Sequence, residues 1–141
     1  MQIKIKTFGE GYMPKKIKQG DWIDLRAHGD YRLKKGEQCY IMLGVAMELP
    51  EGYEAYVVPR SSMTARFGII QVNSPGIIDH SFCGDDDEWG LSVVAIRDTE
   101  IMDGDRVCQF RIQKSQPEIE FVKVDKLNNP SRGGWGSTGR R

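Results

Sequence analysis

Apolar and polar residues alternate with a period of two along much of this chain, in short runs, many of them cut off by glycine or proline. Alternation of that kind puts every second side chain on one face of an extended segment. It favours short strands that bury a single face, and helical periodicity hardly appears. Ile3-Lys4-Ile5-Lys6, Trp22-Ile23-Asp24-Leu25 and Tyr31-Arg32-Leu33 read as strands, as do residues 40–47, 53–58, 69–72, 91–96, 107–112 and 119–124. Gly29-Asp30, Lys35-Gly36, Pro50-Glu51-Gly52, Pro75-Gly76 and Asp103-Gly104-Asp105 supply turns between them. Residues 61–67 break the pattern, with serines as a possible cap and Gly68 as a stop, and read as one short helix. The expected fold class is therefore all-β, a sandwich or barrel with at most one short helix.

A length of 141 residues suits one domain. A domain of this size buries roughly 70% of the surface its unfolded chain would expose, so neither disulfides nor a structural metal is needed. Lysine plus arginine equal aspartate plus glutamate at 20 each, which argues against a broad basic face for nucleic acid but leaves room for a small anionic ligand. Cys39, Cys83 and Cys108 are far apart and odd in number, as expected of reduced thiols in a cytoplasmic protein. The start of the chain alternates like a strand and has no secretory character, and no run reaches the roughly 20 apolar residues of a membrane span.

Several segments carry residues suited to chemistry, and each alone has a plainer reading. Arg60-Ser61-Ser62, where a strand gives way to a helix, offers charge-assisted contacts to a phosphate; the plainer reading is a capped helix with a surface arginine. Residues 73–79 read as a β-hairpin around Pro75-Gly76, ending in Asp79, which is either a general base or an ordinary turn aspartate. The run Asp85-Asp86-Asp87-Glu88 lacks the spacing of a calcium loop and reads as a solvated loop. His28 and His80 have no second nitrogen or sulfur ligand nearby to suggest zinc. Trp22 and Trp89 sit in apolar strand contexts and are expected in the core. From Asn128 the pattern stops. A glycine-rich stretch containing Arg132, Trp135, Ser137 and Thr138 is either a flexible tail or a cradle for an anion with an aromatic to stack on a ligand.

The order of these segments is more specific than any of them. Asp21-Trp22-Ile23-Asp24-Leu25-Arg26-Ala27, Pro59-Arg60-Ser61-Ser62 with Phe67-Gly68-Ile69, Asn73 through Asp79 to Phe82-Cys83-Gly84, Gly104-Asp105-Arg106-Val107-Cys108-Gln109, and Arg132-Gly133-Gly134-Trp135-Gly136-Ser137-Thr138-Gly139 follow one another from residue 21 to 139. The set resembles the five ordered motifs of the trimeric dUTP pyrophosphatase (dUTPase) family, in its short bacterial or phage-like form. The resemblance implies a jelly-roll-like fold for residues 1–127 and a homotrimer. Residues 128–141 would be an arm that closes over a neighbour's active site. It implies hydrolysis of dUTP to dUMP and pyrophosphate, with Asp79 as the base and Asp24 holding Mg2+ through its water shell. Arg60, Ser61, Ser62 and Gln109 would meet the phosphates; Asn73, Gly76, Ile78 and Phe82 the base and sugar. Arg132, Trp135, Gly136, Ser137 and Thr138 would close the site. Phe82 stands where the family has tyrosine, and Trp135 where its arm has phenylalanine. A dCTP deaminase of the same fold and a dUTP-sensing module that binds a regulatory protein partner are the alternatives.

Overall fold

The computed structural model describes residues 1–141. Strands β1 (Lys4–Thr7), β2 (Ile23–Arg26), β3 (Tyr31–Leu33), β4 (Gln38–Met42), β5 (Val45–Glu48) and β6 (Tyr53–Pro59) precede the one helix, α1 (Met63–Phe67). Strands β7 (Ile69–Gln71), β8 (Gly76–Ile78), β9 (Gly90–Ala95), β10 (Thr99–Ile101) and β11 (Arg106–Lys114) follow it. A four-stranded sheet runs β2-β11-β6-β8 and a three-stranded sheet β4-β9-β7, with the pairs β1-β5 and β10-β3 beside them. Every pairing is antiparallel.

Alternation did its work where a strand has a paired neighbour. Leu25, Ala55, Val57 and Phe110 of the larger sheet join Ile41, Ile69, Leu91 and Val93 of the smaller one in a single buried cluster. Trp89 is fully buried between the two contributions and meets Phe110 edge-on, with ring centroids 5.4 Å apart. Two sheets closing over one core make the sandwich the sequence leads one to expect. Helix α1 also forms, although its Ser62 cap makes no side-chain hydrogen bond. Its other end does the holding: Gly68 turns left-handed at φ 60°, and Arg97 donates to the carbonyls of Ala65 and Arg66. No helix is long and apolar enough to cross a membrane.

Four expectations need correction. The run 40–47 is two strands, because Gly44 (φ 69°) interrupts it. The two arms of the 73–79 segment do not pair with each other: β7 pairs with β9 in one sheet, and β8 pairs with β6 in the other. The segment is thus a corner between sheets. Residues 119–124 alternate but form no strand, and Phe121 is 93% exposed. Within this chain no sheet edge pairs with them, and alternation without a partner edge does not make a strand. Trp22 is half-buried, with the Arg111 guanidinium 5.4 Å from its ring centroid, so it borders the core and does not fill it.

The position of Gly44 yields a test of the packing. A Cβ there would lie 2.5 Å from the ring of Tyr12, a mostly buried residue that holds residues 8–13 against the sandwich. Gly44→Ala combines that clash with a left-handed backbone and should cost about 2–4 kcal/mol of stability. Chemical denaturation reads it; an unshifted midpoint would mean that Tyr12 moves aside freely.

Candidate active site

The four-stranded sheet sets the site. Asp24 on β2 lies directly opposite Gln109 on β11, and Gln109 lies opposite Val58 on β6. Arg60 and Ser61 leave the end of β6 one and two residues past its last residue, Pro59. These four residues therefore converge on one wall of a cleft of about 1050 Å3. The far wall comes from the segment after β1, through Glu10, Lys15, Asp21 and Trp22.

Ion pairs order the near wall. Arg60 Nε lies 3.0 Å from Asp24 Oδ1, and Arg60 Nη1 donates to the Arg106 carbonyl at 3.3 Å. Arg106 Nη1 lies 3.3 Å from Asp24 Oδ2. Gln109 Nε2 donates to the Pro59 carbonyl at 3.0 Å, which leaves its Oε1 as an acceptor towards the cleft. Both guanidiniums are held by the same carboxylate, so they need little reorganisation to receive an anion, and each has further N–H donors to offer.

Arg106 lies within the fourth motif and reaches the cleft for a local reason. The β2-β11 register shifts between Arg106 and Cys108, where a bulge inserts one residue. Val107 and Cys108 are consecutive and both fully buried, which a regular strand with alternating faces does not allow. The bulge turns Arg106 onto the face that carries Asp24. Burial also pushes the Cys108 thiol well above its ordinary pKa, so it stays an inert part of the core. Arg26, tied to the Gly104 carbonyl at 2.7 Å, and Lys15 are further cleft cations not identified beforehand.

The other expected residues lie elsewhere. Asp79 is exposed just beyond β8 and does not line this cleft. Its Oδ1 accepts from the Ser81 hydroxyl and, at 2.8 Å, from the Ser81 amide. Those two donors, hydroxyl first, hold the Asp79 carboxyl below its ordinary pKa because they favour the charged form. Gly76 is buried, Ile78 half-buried and Asn73 exposed, while Phe82 is 38% exposed; all four belong to the corner and not to the cleft. Ser62 does not reach the cleft either. Arg132, Trp135, Gly136, Ser137 and Thr138 are exposed in a segment of two tight turns, closed by Ser137 N to Gly134 O and Gly139 N to Gly136 O. Trp135 touches no core at all. Within this chain, then, the residues fall into three separate groups.

The acidic run behaves in two ways. Asp85 and Asp86 are exposed, as expected of a solvated loop. Glu88 is 13% exposed in its side chain, pairs with His28 Nδ1 and accepts the Gly44 amide at 2.9 Å. Those contacts make Glu88 a structural partner of His28 and of the turn at Gly44. No group of three His, Cys, Asp or Glu residues stands close enough to cage a metal. An ion that keeps its waters and meets the protein through one carboxylate does not need such a cage, and Asp24 on a polar wall suits it.

Comparison with known proteins places the chain in a family. The dUTPase family profile matches residues 11–139. The SPbeta prophage-derived deoxyuridine 5'-triphosphate nucleotidohydrolase of Bacillus subtilis is 56% identical, over the full length of both chains. The deoxyuridine 5'-triphosphate nucleotidohydrolase of Finegoldia magna is 37% identical over 99% of each chain. Among solved structures, the dUTPase of Staphylococcus bacteriophage 80alpha with dUPNHPP superposes with a TM-score of 0.82 at 19% identity, covering 99% of both chains. A mutant dUTPase of phage phi11 of S. aureus, described with a structural Mg(II) ion, reaches 0.78 at 18% identity over 92% of this chain and all of its own. A profile spanning nearly the whole chain and full-length relatives well above 30% identity leave one assignment: the chain belongs to the dUTPase family.

Proposed function

We propose that this protein hydrolyses dUTP to dUMP and pyrophosphate. The observation that carries the reading is the cleft in which Asp24, Arg60, Ser61, Arg106 and Gln109 meet in a member of this family. Arg60 and Arg106 bind phosphate oxygens, and Ser61 and Gln109 fix their orientation. Asp24 is placed to accept hydrogen bonds from the water shell of a Mg2+ ion carried by the nucleotide. When bound, Mg2+ would supply charge neutralisation to the phosphates.

Asp79 is the base. Its carboxylate takes a proton from a water as the water oxygen bonds to the α-phosphorus. The bond from that phosphorus to the bridging oxygen breaks, and pyrophosphate leaves. No side chain forms a covalent intermediate, so positioning and charge provide most of the acceleration. The separation of cleft, corner and arm within one protomer supports a homotrimer in which each site takes one group from each subunit. The same assembly gives cover to Phe121, Val122 and Leu127, which are 74–93% exposed in the protomer. In this reading residues 128–141 form the closing arm, with Trp135 over the base and Arg132, Ser137 and Thr138 at the phosphate end.

Pyrophosphate release from dUTP, dCTP, dTTP and UTP, with Mg2+ and with a chelator, tests the reaction. Mg2+-dependent release from dUTP alone is expected; no release from dUTP defeats the proposal. The base has a pH signature of its own. A carboxyl held low remains charged as pH falls, so the acid limb of kcat/KM should lie below that of an ordinary aspartate. Activity is lost only as pH drops through the depressed pKa. Ser81→Ala removes the larger of the two lowering contacts and should move that limb upwards. A pH–rate profile with an unmoved limb would contradict the role of Ser81.

A further inference from the structure

Beneath the corner lies a buried amide that the chemistry above does not use. Gln71, the last residue of β7, is 6% exposed and the only polar residue in the buried set. Its Nε2 donates to the Val57 carbonyl on β6 at 3.0 Å, and so ties the two sheets together at the corner. The same Nε2 lies 3.5 Å from Asn73 Oδ1. Gly76 packs on this amide, since a Cβ at that position would stand 3.0 Å from Gln71 Nε2. Gln71 Oε1 is buried and has no partner.

An orphaned buried acceptor is destabilising, and a leucine would fill the same space without it. Burial alone gives no reason for an amide here. Its orientation is nevertheless settled by Val57: turned over, Oε1 would face the carbonyl oxygen and the NH2 group would lose its acceptor. With Nε2 inward, one of its protons serves Val57 and the other points to Asn73 Oδ1. The oxygen of the Asn73 carboxamide is thereby held towards the protein. Its Nδ2 group faces the exposed side of the corner, where Asn73 itself is exposed.

We infer that Gln71 is a positioning residue for base selection, which orients the Asn73 carboxamide so that its NH2 donates to the 4-carbonyl of uracil and opposes the 4-amino group of cytosine. The inference rests on the proposed reading that this corner receives the base of a nucleotide. It explains why a polar group is retained at a position where core packing would favour an apolar one. Without Gln71, the Asn73 amide turns over at little cost and presents its oxygen, which accepts from cytosine.

Gln71→Met removes both donors at similar volume. In the full chain, the ratio of kcat/KM for dUTP over dCTP should fall about tenfold or more. The change should appear as a raised KM for dUTP, with kcat within about threefold of the parent. An equal loss on both nucleotides, or an unchanged ratio, would overturn the assignment. Asn73→Asp gives a second arm at an exposed position that does not depend on core repacking. There Gln71 still donates to the inner oxygen while an acceptor replaces the outward NH2, so preference should swing about tenfold or more towards dCTP. A ratio that stays put would again sink the idea. The Kd ratio of non-hydrolysable dUTP and dCTP analogues, measured by calorimetry on parent and variants, reads the same selection without turnover. An inactive parent that still selects dUTP over dCTP, and loses that selection in the variants, would therefore count against the proposed reaction and for the role of Gln71.

Discussion

Asp79→Asn is expected to lower kcat for dUTP by about 10²–10⁴-fold, the range typical of a lost general base, while dUTP still binds. The substitution keeps the size and shape of the side chain. Its amide can still accept from Ser81 through Oδ1, so the loop after β8 should hold its form. What disappears is the proton acceptor. The residue is exposed and outside the core, so stability should change little, and folding does not confuse the reading. Single-turnover kinetics beside calorimetric binding of a non-hydrolysable dUTP analogue would separate the two effects. Turnover within a few-fold of the parent would show that another group takes the proton.

Deleting residues 131–141 should leave a folded protein with kcat/KM for dUTP reduced by about 10²–10³-fold. The segment carries no strand and no core contact, so the sandwich has no need of it. Its glycines at φ 95° (Gly133) and 79° (Gly136, Gly139) shape the turns that present Ser137 and Thr138. Circular dichroism and thermal melting should therefore match those of the full chain. Mixing makes the prediction sharper. Asp79→Asn protein retains its arm, and the truncated protein retains Asp79. If each site draws its base and its arm from different subunits, equal mixing after dissociation should restore activity at about a quarter of the sites. A mixture no more active than its parts would show that base and arm come from one chain.

Much of the fold could be read from the chain because alternation is a local property. Residues 22–25 and 31–33 show it, and strands β2 and β3 form there with Leu25 and Leu33 turned inward and buried. Turn chemistry is equally local: Gly68 stops α1 because a left-handed residue is needed there, and the sequence places a glycine at that point. Strand β10 is not legible in the same way, since Thr99-Glu100-Ile101 holds a single apolar residue and so displays no alternation. The ordered motifs also named Asp24, Arg60, Ser61 and Gln109, and the structure brings these four to one cleft.

The rest depended on which segments are neighbours in space. Residues 119–124 have the pattern of a strand and no edge to pair with in this chain, so the pattern alone misleads. Glu88 looked like one of four solvated acids until folding set it against His28 and the Gly44 amide. The corner at 73–79 looked like a hairpin because proline and glycine signal a turn, and nothing local tells which sheet each arm will join. Arg106 became a cleft residue through one extra residue in β11, a register shift that exists only against its partner β2. The sequence by itself thus determined the strands, the turns and the chemical types available. Only the tertiary structure decided which side chains share a face, because hydrogen-bond register and burial are relations between distant segments. The buried Gln71 amide, bonded through Nε2 and unpartnered at Oε1, is visible only at that level.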